Sequence, residues 1–243
     1  MVGASLVGAL FKCKAEMGNK NGSIKENRLS IKKLGEFGLI SRLIDGSASP
    51  NQQIVRGIGD DAAVLQPTED QLLLATCDVQ IEGIHFVLDG FTKEQIGRRA
   101  AAVNLSDIAA MGGTPTFALI SLAVPPQTEA AFLEGVYAGL RAGFDEWGAH
   151  IVGGNTARLD ERLVIDVHLL GEVPPDKLLL RNGAKPGDLL CVTGTLGASQ
   201  AGLRLLKSTK ISVDEPTRDH ALAVYRTPIP AFRRADASAH RGT

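Results

Sequence analysis

The residues in this sequence with the most evident chemistry are aspartates that stand beside glycines or at the ends of apolar runs. The segment 57–62 reads GIGDDA and superficially fits the Gly-x-Gly-x-x-Gly/Ala pattern of dinucleotide-binding loops. Two carboxylates would then lie where phosphates approach, and such charges repel strongly unless a cation lies between them. The segment therefore favours metal-bridged phosphate binding over dinucleotide binding, and an exposed Gly-Asp turn is the alternative.

A further aspartate, Asp78, directly follows the apolar run from Leu72 to Cys77. This run is hydrophobic enough to predict a strand that is buried on both faces. Ligands collect at the carboxyl ends of strands in open α/β sheets, so Asp78 is a candidate ligand. A cap of a turn or helix is the alternative interpretation.

The alanine-rich stretch from Lys93 to Met111 predicts a helix that ends at a pair of glycines. Asp107 falls in the middle of an apolar stripe on that helix, with Asn104 beside it. An ionised carboxylate in an apolar face needs a partner or a metal ion. We therefore favour a metal ligand over a buried salt bridge, because Arg98 and Arg99 point to other faces. The stripe consists of Ile96, Ala100, Val103 and Met111.

Two other segments combine glycines with polar residues. Residues 150–156 read HIVGGNT, which predicts a short strand that runs into paired glycines. Asn155 can offer a carbonyl oxygen to a hard cation, and a plain turn is the alternative interpretation. Residues 193–199 read TGTLGAS and could form an anion-binding nest. They lack the Gly-Lys-Ser/Thr ending of a Walker A loop, so P-loop ATPase chemistry is not supported.

Strand-like and helical patterns alternate along the chain, which predicts an α/β fold. Helical periodicity is clearest from Phe132 to Trp147, and residues 185–188 (KPGD) have the proline and glycine that a type II turn requires. A further helix is predicted to begin near Ala198. The predicted strands cover residues 72–79, 116–124, 150–152, 163–170 and 189–193.

The overall composition excludes several classes of function. The 243 residues carry a formal charge of −1, so we expect no nucleic-acid partner and no anionic membrane surface. No apolar stretch is long enough for a membrane span. Three widely separated cysteines indicate a reduced cytoplasmic location. Residues 1–33 are basic and rich in Gly and Asn, which predicts a flexible extension.

Several short strings together resemble the thiamine-monophosphate kinases of the aminoimidazole-ribonucleotide-synthetase-like superfamily. This resemblance implies an α/β fold of α+β type, with two domains, mixed sheets and flanking helices. Residues 34–174 would form an ATP- and magnesium-binding dimerisation domain, and residues 175–243 an incomplete C-terminal domain. The strings are GIGDDA at 57–62, TCD at 76–78, GIHF at 83–86, NLSDIAAMG at 104–112, VGGNT at 152–156, RNGAKPGD at 181–188 and VTGTLG at 192–197.

The resemblance also implies an activity: a cytoplasmic homodimer would transfer the γ-phosphoryl group of ATP to thiamine monophosphate. Without the resemblance, a lone histidine such as His85 is more often structural or solvated. The implied magnesium ligands are Asp61, Thr76, Asp78, Asp107 and Asn155, with Asp60 in support. The implied ATP contacts are Gly154, Asn155 and Arg181, and the implied thiamine monophosphate contact is His85.

Two departures from the family pattern stand out. Asn155 replaces the usual aspartate, which removes one negative charge from a cation site and should weaken magnesium binding there. The family strings DxSDGL and GGEDY are missing from the sequence after Asp176, so we expect the second domain to be incomplete. The alternatives are a catalytically incomplete fragment that retains nucleotide binding or dimerisation, and a superfamily relative that acts on another acceptor.

Overall fold

The computed structural model describes residues 30–44, 51–56, 58, 62–192, 195–208 and 210–232. Its helices are α1 (Ile31–Ile44), α2 (Lys93–Ala110), α3 (Ala130–Asp145), α4 (Ala198–Lys207) and α5 (Glu215–Arg226), with a 3-10 turn at Pro175–Lys177. Its strands are β1 (Ile54–Arg56), β2 (Val64–Leu65), β3 (Leu72–Ile81), β4 (Thr114–Val124), β5 (His150–Arg158) and β6 (Val164–Val173).

Four strands form a mixed sheet in the order β3-β6-β4-β5. β6 runs antiparallel to both β3 and β4, whereas β4 and β5 are parallel. The helix-covered face is fully buried at its centre, where Ile120 and Val167 are 0% exposed. The opposite side of the sheet, which we call the open face, leaves Leu73 57% and Val79 38% exposed. The predicted mixed sheet with flanking helices is confirmed.

α2 is fixed at both ends by the residues that the sequence places there. Thr92 caps its first turn in a capping box with Gln95, which satisfies backbone N–H groups that a helix start leaves free. Gly112 follows its end with φ of 75°, a conformation that favours glycine. The predicted helix from Lys93 to Met111 is confirmed, with Met111 as its C-terminal cap.

α2 and α3 pack closely through glycines. A Cβ atom on Gly97 would lie 1.9 Å from the Val136 carbonyl oxygen, and one on Gly139 would lie 2.0 Å from the Glu94 carbonyl oxygen. Neither position has room for a side chain, so the two helix backbones approach as closely as their glycines allow. This contact fixes α2, and therefore Asp107, relative to the rest of the core.

Three of the predicted strands are confirmed, and two predictions differ from the structure. β5 continues to Arg158 instead of turning at Gly153, because Gly154 lies against the β4 backbone, where a Cβ would meet the Ile120 oxygen at 2.0 Å. The strand predicted at 189–193 is wrong for the described residues 189–192. They pair with no neighbour in the described chain, and Leu190 is 98% exposed.

The predicted turn at 185–188 is confirmed. Gly187 has φ of 100°, and the Asp188 N–H donates to the Lys185 carbonyl oxygen over 3.1 Å. The Asp188 carboxylate in turn accepts from the Lys185 N–H over 2.8 Å.

The two C-terminal helices pack on each other, and α5 also contacts α2. The Arg99 guanidinium lies 4.9 Å from the centre of the Tyr225 ring, and that ring meets Phe91 edge-on. Tyr225 is therefore part of the same hydrophobic core as the sheet. The domain boundary after residue 174 stays a prediction.

The predicted N-terminal extension falls largely outside the described residues. Of its last four residues, Ser30 forms a bridge with Glu129 and residues 31–33 begin α1. Within the described part of the chain, no helix is both long and apolar enough to cross a membrane.

Candidate cation and phosphate site

Three of the predicted ligands meet where α2 crosses β3. The Thr76 hydroxyl donates to the Asp107 carboxylate over 2.7 Å. Thr76 and Asp78 are two residues apart on β3, so both side chains point to the face that α2 covers. The structure therefore brings the Thr76 hydroxyl and the Asp78 carboxylate together with the carboxylate of Asp107, which lies 31 positions after Thr76 in the sequence.

Asp78 lies within β3, three residues before its end, so the prediction that it terminates the strand is wrong. Burial raises the pKa of its carboxyl group, the charge of Asp107 raises that pKa further, and His85 acts in the opposite direction. The two carboxylates are thus near enough to repel each other. A cation between them would remove this repulsion.

His85 lies in a tight turn directly after β3. Its Nδ1 accepts from the Ile81 N–H over 3.0 Å, so the neutral ring carries its proton on Nε2. Gly83 makes the turn possible with φ of 80°, and Phe86 anchors it with only 2% exposure. The turn places the imidazole within electrostatic reach of Asp78.

Glu82 supports this turn, and sequence reasoning missed it. Its carboxylate accepts from the Leu163 N–H over 2.9 Å, while its own N–H donates to the Leu163 carbonyl oxygen over 3.0 Å. This pair of bonds ties the His85 turn to the loop before β6. The only sequence signal was an acidic residue before the turn glycine, which does not reveal a partner 81 residues away.

Asp107 lies at the edge of the buried side of α2 and not in its middle. Its residue is exposed, whereas Asn104 beside it is 0% exposed. The prediction of an apolar stripe centred on Asp107 is therefore wrong, because α2 turns its small residues toward α3. Arg98 pairs with Glu146 and Arg99 bonds the Tyr225 carbonyl oxygen, so neither forms the alternative salt bridge with Asp107.

Asn155 does not join the acid pair. It lies on the open face in register with Ser121, and Ser121 in turn is in register with Asp166. It also belongs to the opposite edge strand, about 14 Å away at ordinary strand spacing. Gly154 faces the helices, and its lack of a side chain is required by the β4 backbone. An Asn155 of the same protomer therefore does not reach the cation site formed at β3.

Of the other predicted site residues, Asp60 and Asp61 lie outside the described residues. Arg181 is exposed in a stretch without regular structure. It forms no hydrogen bond or ion pair with another described residue. The ATP contacts predicted for Gly154, Asn155 and Arg181 stay predictions.

The donor set at β3 and α2 suits a small hard cation. Two carboxylates and a hydroxyl supply only oxygen atoms, which Mg²⁺ prefers. Within the described ranges, no group of three or more His, Cys, Asp or Glu side chains is spaced to hold a metal ion. A bound Mg²⁺ would therefore need water or phosphate oxygens as further ligands, which is how this ion is usually bound in phosphate-transferring sites.

Comparison with known proteins finds similarity over the residues that form the site. Residues 59–173 match the AIR synthase related protein family, N-terminal domain. The chain is 37% identical over 201 residues to a thiamine-monophosphate kinase of Synechococcus elongatus, covering 83% of this chain and 59% of that protein. The predicted resemblance to these kinases is confirmed.

Two solved structures extend the likeness to the fold. A thiamine-monophosphate kinase from Stenotrophomonas maltophilia is 30% identical with a TM-score of 0.66, over 79% of this chain and 60% of that one. The complex of AaThiL with AMPPCP and TMP is 36% identical with a TM-score of 0.61, over 83% and 61%. This chain spans about three-fifths of the length of the relatives that it matches.

Proposed function

We propose that this chain, whose residues 59–173 match the AIR synthase related protein family, N-terminal domain, transfers the γ-phosphoryl group of ATP to thiamine monophosphate. The observation that carries the proposal is the convergence of Thr76, Asp78 and Asp107 beside the His85 turn. The likeness to AaThiL, which was solved with AMPPCP and TMP, supports this choice of nucleotide and acceptor.

The residues of the site have separate tasks in this reaction. Asp78 and Asp107 hold Mg²⁺, and Thr76 fixes the Asp107 carboxylate on the side that faces β3. Burial and the charge of Asp107 raise the pKa of the Asp78 carboxyl group, and a cation bound between the two carboxylates would offset their repulsion. When bound, magnesium neutralises phosphate charge and helps to align the two anionic substrates.

His85 contacts the phosphate of thiamine monophosphate. Because its Nδ1 accepts from Ile81, its Nε2–H remains free to donate a hydrogen bond to a phosphate oxygen. The turn from Glu82 to Phe86 holds the ring in place, so little side-chain freedom is lost when the substrate binds. We assign no covalent intermediate to any residue.

The protein forms a homodimer through the open face. Leu73, Val79 and Leu119 are 57%, 38% and 38% exposed there, and apolar groups of this kind on one sheet face mark an interface. Light scattering should give twice the chain mass for the wild type and the single mass for Val79→Asp. A monomeric wild type would refute this part of the proposal.

Two exposed free thiols, Cys77 and Cys191, support a reducing cytoplasmic location.

The reaction is tested by incubating the purified chain with ATP, thiamine monophosphate and Mg²⁺ and measuring thiamine diphosphate by chromatography. We expect product from the wild type and none from Asp107→Ala. Absence of product together with absence of AMPPCP binding would refute the proposal. AMPPCP binding without product would instead support a chain that binds nucleotide without transferring the phosphoryl group.

A further inference from the structure

Two buried amide side chains flank the acid pair, and each keeps one oxygen without a hydrogen-bond partner in the described structure. Asn104 is 0% exposed and precedes Asp107 by about one helical turn. Gln80 is 5% exposed and follows Asp78 on the same face of β3. Their NH₂ groups donate to the Ala100 and Val79 carbonyl oxygens over 3.1 and 3.2 Å, which leaves Asn104 Oδ1 and Gln80 Oε1 unpaired.

A buried carbonyl oxygen without a donor destabilises a folded chain. The third buried polar side chain of the described core, Glu172, avoids this cost. It accepts from the Thr68 N–H over 2.9 Å and from Gln53 over 3.4 Å. Of the three buried polar side chains of the described core, only Asn104 and Gln80 keep an oxygen unpaired, and both belong to the elements that carry the acids.

The packing of α2 on β3 places Asn104 at the level of Asp78. Gly113 lies against Leu74, and Asp107 bonds Thr76, so α2 runs opposite to β3. Moving back one turn from Asp107 shifts the position by about 5 Å along the helix. On β3, which runs in the opposite direction, the corresponding shift leads from Thr76 toward Asp78. Asn104 is therefore at the same level along β3 as Asp78.

We propose that Asn104 and Gln80 belong to the same cation site as Asp78 and Asp107, as acceptors for water molecules carried by a hydrated divalent cation such as Mg²⁺. Mg²⁺ keeps several of its waters when it binds protein carboxylates. Those waters are donors, which is what the two amide oxygens lack. The carboxylates bind the ion, and the amides orient its waters. This inference rests on the proposed function in its choice of cation.

The first test variant is Asn104→Leu, which keeps the branched shape of the side chain and removes the acceptor oxygen. Asn104→Leu should weaken Mg²⁺ binding about tenfold, as loss of an outer-shell partner commonly does, in calorimetric titrations of the full chain with Mg²⁺ and AMPPCP. The same variant should raise the Tm of the metal-free chain by about 2–4 °C, because it removes a buried unpaired oxygen. Substitution of a residue with only a structural role would not lower the Mg²⁺ affinity while it raises the Tm of the metal-free chain.

Thr116→Val is the matched control. Its hydroxyl oxygen also lacks a partner, but Thr116 lies on β4, two strands away from β3, so Mg²⁺ affinity should not change. Asn104→Ala and Gln80→Met repeat the measurement if Asn104→Leu fails to fold. Unchanged Mg²⁺ affinity in the folded variants, or a wild type that binds no Mg²⁺, overturns the inference. Neither result decides the proposed reaction, which thiamine diphosphate formation measures separately.

Discussion

The glycine contact between α2 and α3 gives a quantitative prediction for Gly139→Ala. The new Cβ would lie 2.0 Å from the Glu94 carbonyl oxygen, so the two backbones must move apart by roughly 1 Å to restore van der Waals contact. Overpacking of this kind costs about 1–3 kcal/mol, whereas alanine in place of glycine within a helix contributes about 1 kcal/mol of stability. Because the Glu94 carbonyl group and the helix backbone around it are rigid, we expect an overpacking cost at the upper end of that range. After the contribution of alanine to helix stability is subtracted, the net destabilisation should be about 2 kcal/mol.

Gly135→Ala provides the control on the same helix. Its Cβ would meet only the flexible side chain of Lys93, at 2.2 Å, so the substitution should be neutral or slightly stabilising. A loss of 1 kcal/mol lowers the Tm by about 2–4 °C in a chain of this size, so Gly139→Ala should melt about 5 °C below the wild type in calorimetry. Equal Tm values for the two variants would refute the close-packing argument.

Two predictions concern titratable groups. Burial raises the pKa of the Tyr137 phenol to about 12, although Arg141 acts in the opposite direction. The variant Tyr225→Phe leaves Tyr137 as the single tyrosine of the chain, so its ionisation can be followed by ultraviolet absorbance. We expect ionisation near pH 12, and an ordinary tyrosine pKa near 10 would contradict the burial of Tyr137. The stability linked to this group is complete below about pH 10 and is lost as the pH rises through about 12. Hydrogen bonds from Thr217 lower the pKa of the exposed Asp214 carboxyl at the start of α5. Asp214→Ala should therefore melt below the wild type at neutral pH. This difference in Tm should vanish as the pH falls through the lowered pKa of Asp214. A Tm difference that persists in acid would refute the capping role.

Much of the fold could be predicted from local patterns. The apolar runs of β3, β4 and β6 and the glycine stop after α2 are local signals, and the structure places these elements where the sequence indicates them. β5 was predicted too short because paired glycines favour a turn, whereas Gly154 is required by the neighbouring strand. The strand expected at 189–193 needs a partner strand, and no local pattern shows whether one is present.

The site was predicted only in part, for a similar reason. Thr76, Asp78 and Asp107 come together, but their contact depends on how α2 is rotated against β3. Gly97 and the glycines of α3 determine that rotation, and a stripe of large apolar residues does not report it. The burial of Asn104 and the separation of Asn155 follow from the same packing and from strand order. Neither can be read from the spacing of residues along the chain.

The central claim is that Asp78 and Asp107 hold a cation for nucleotide binding, and calorimetric titration with AMPPCP tests it most directly. The wild type should bind AMPPCP only when Mg²⁺ is present. Asp107→Asn should lose at least about tenfold in affinity, as removal of a charge from a cation site implies, while Asp219→Asn, an exposed aspartate on α5, should bind like the wild type. Equal Mg²⁺-dependent affinity in the wild type and Asp107→Asn would contradict the account.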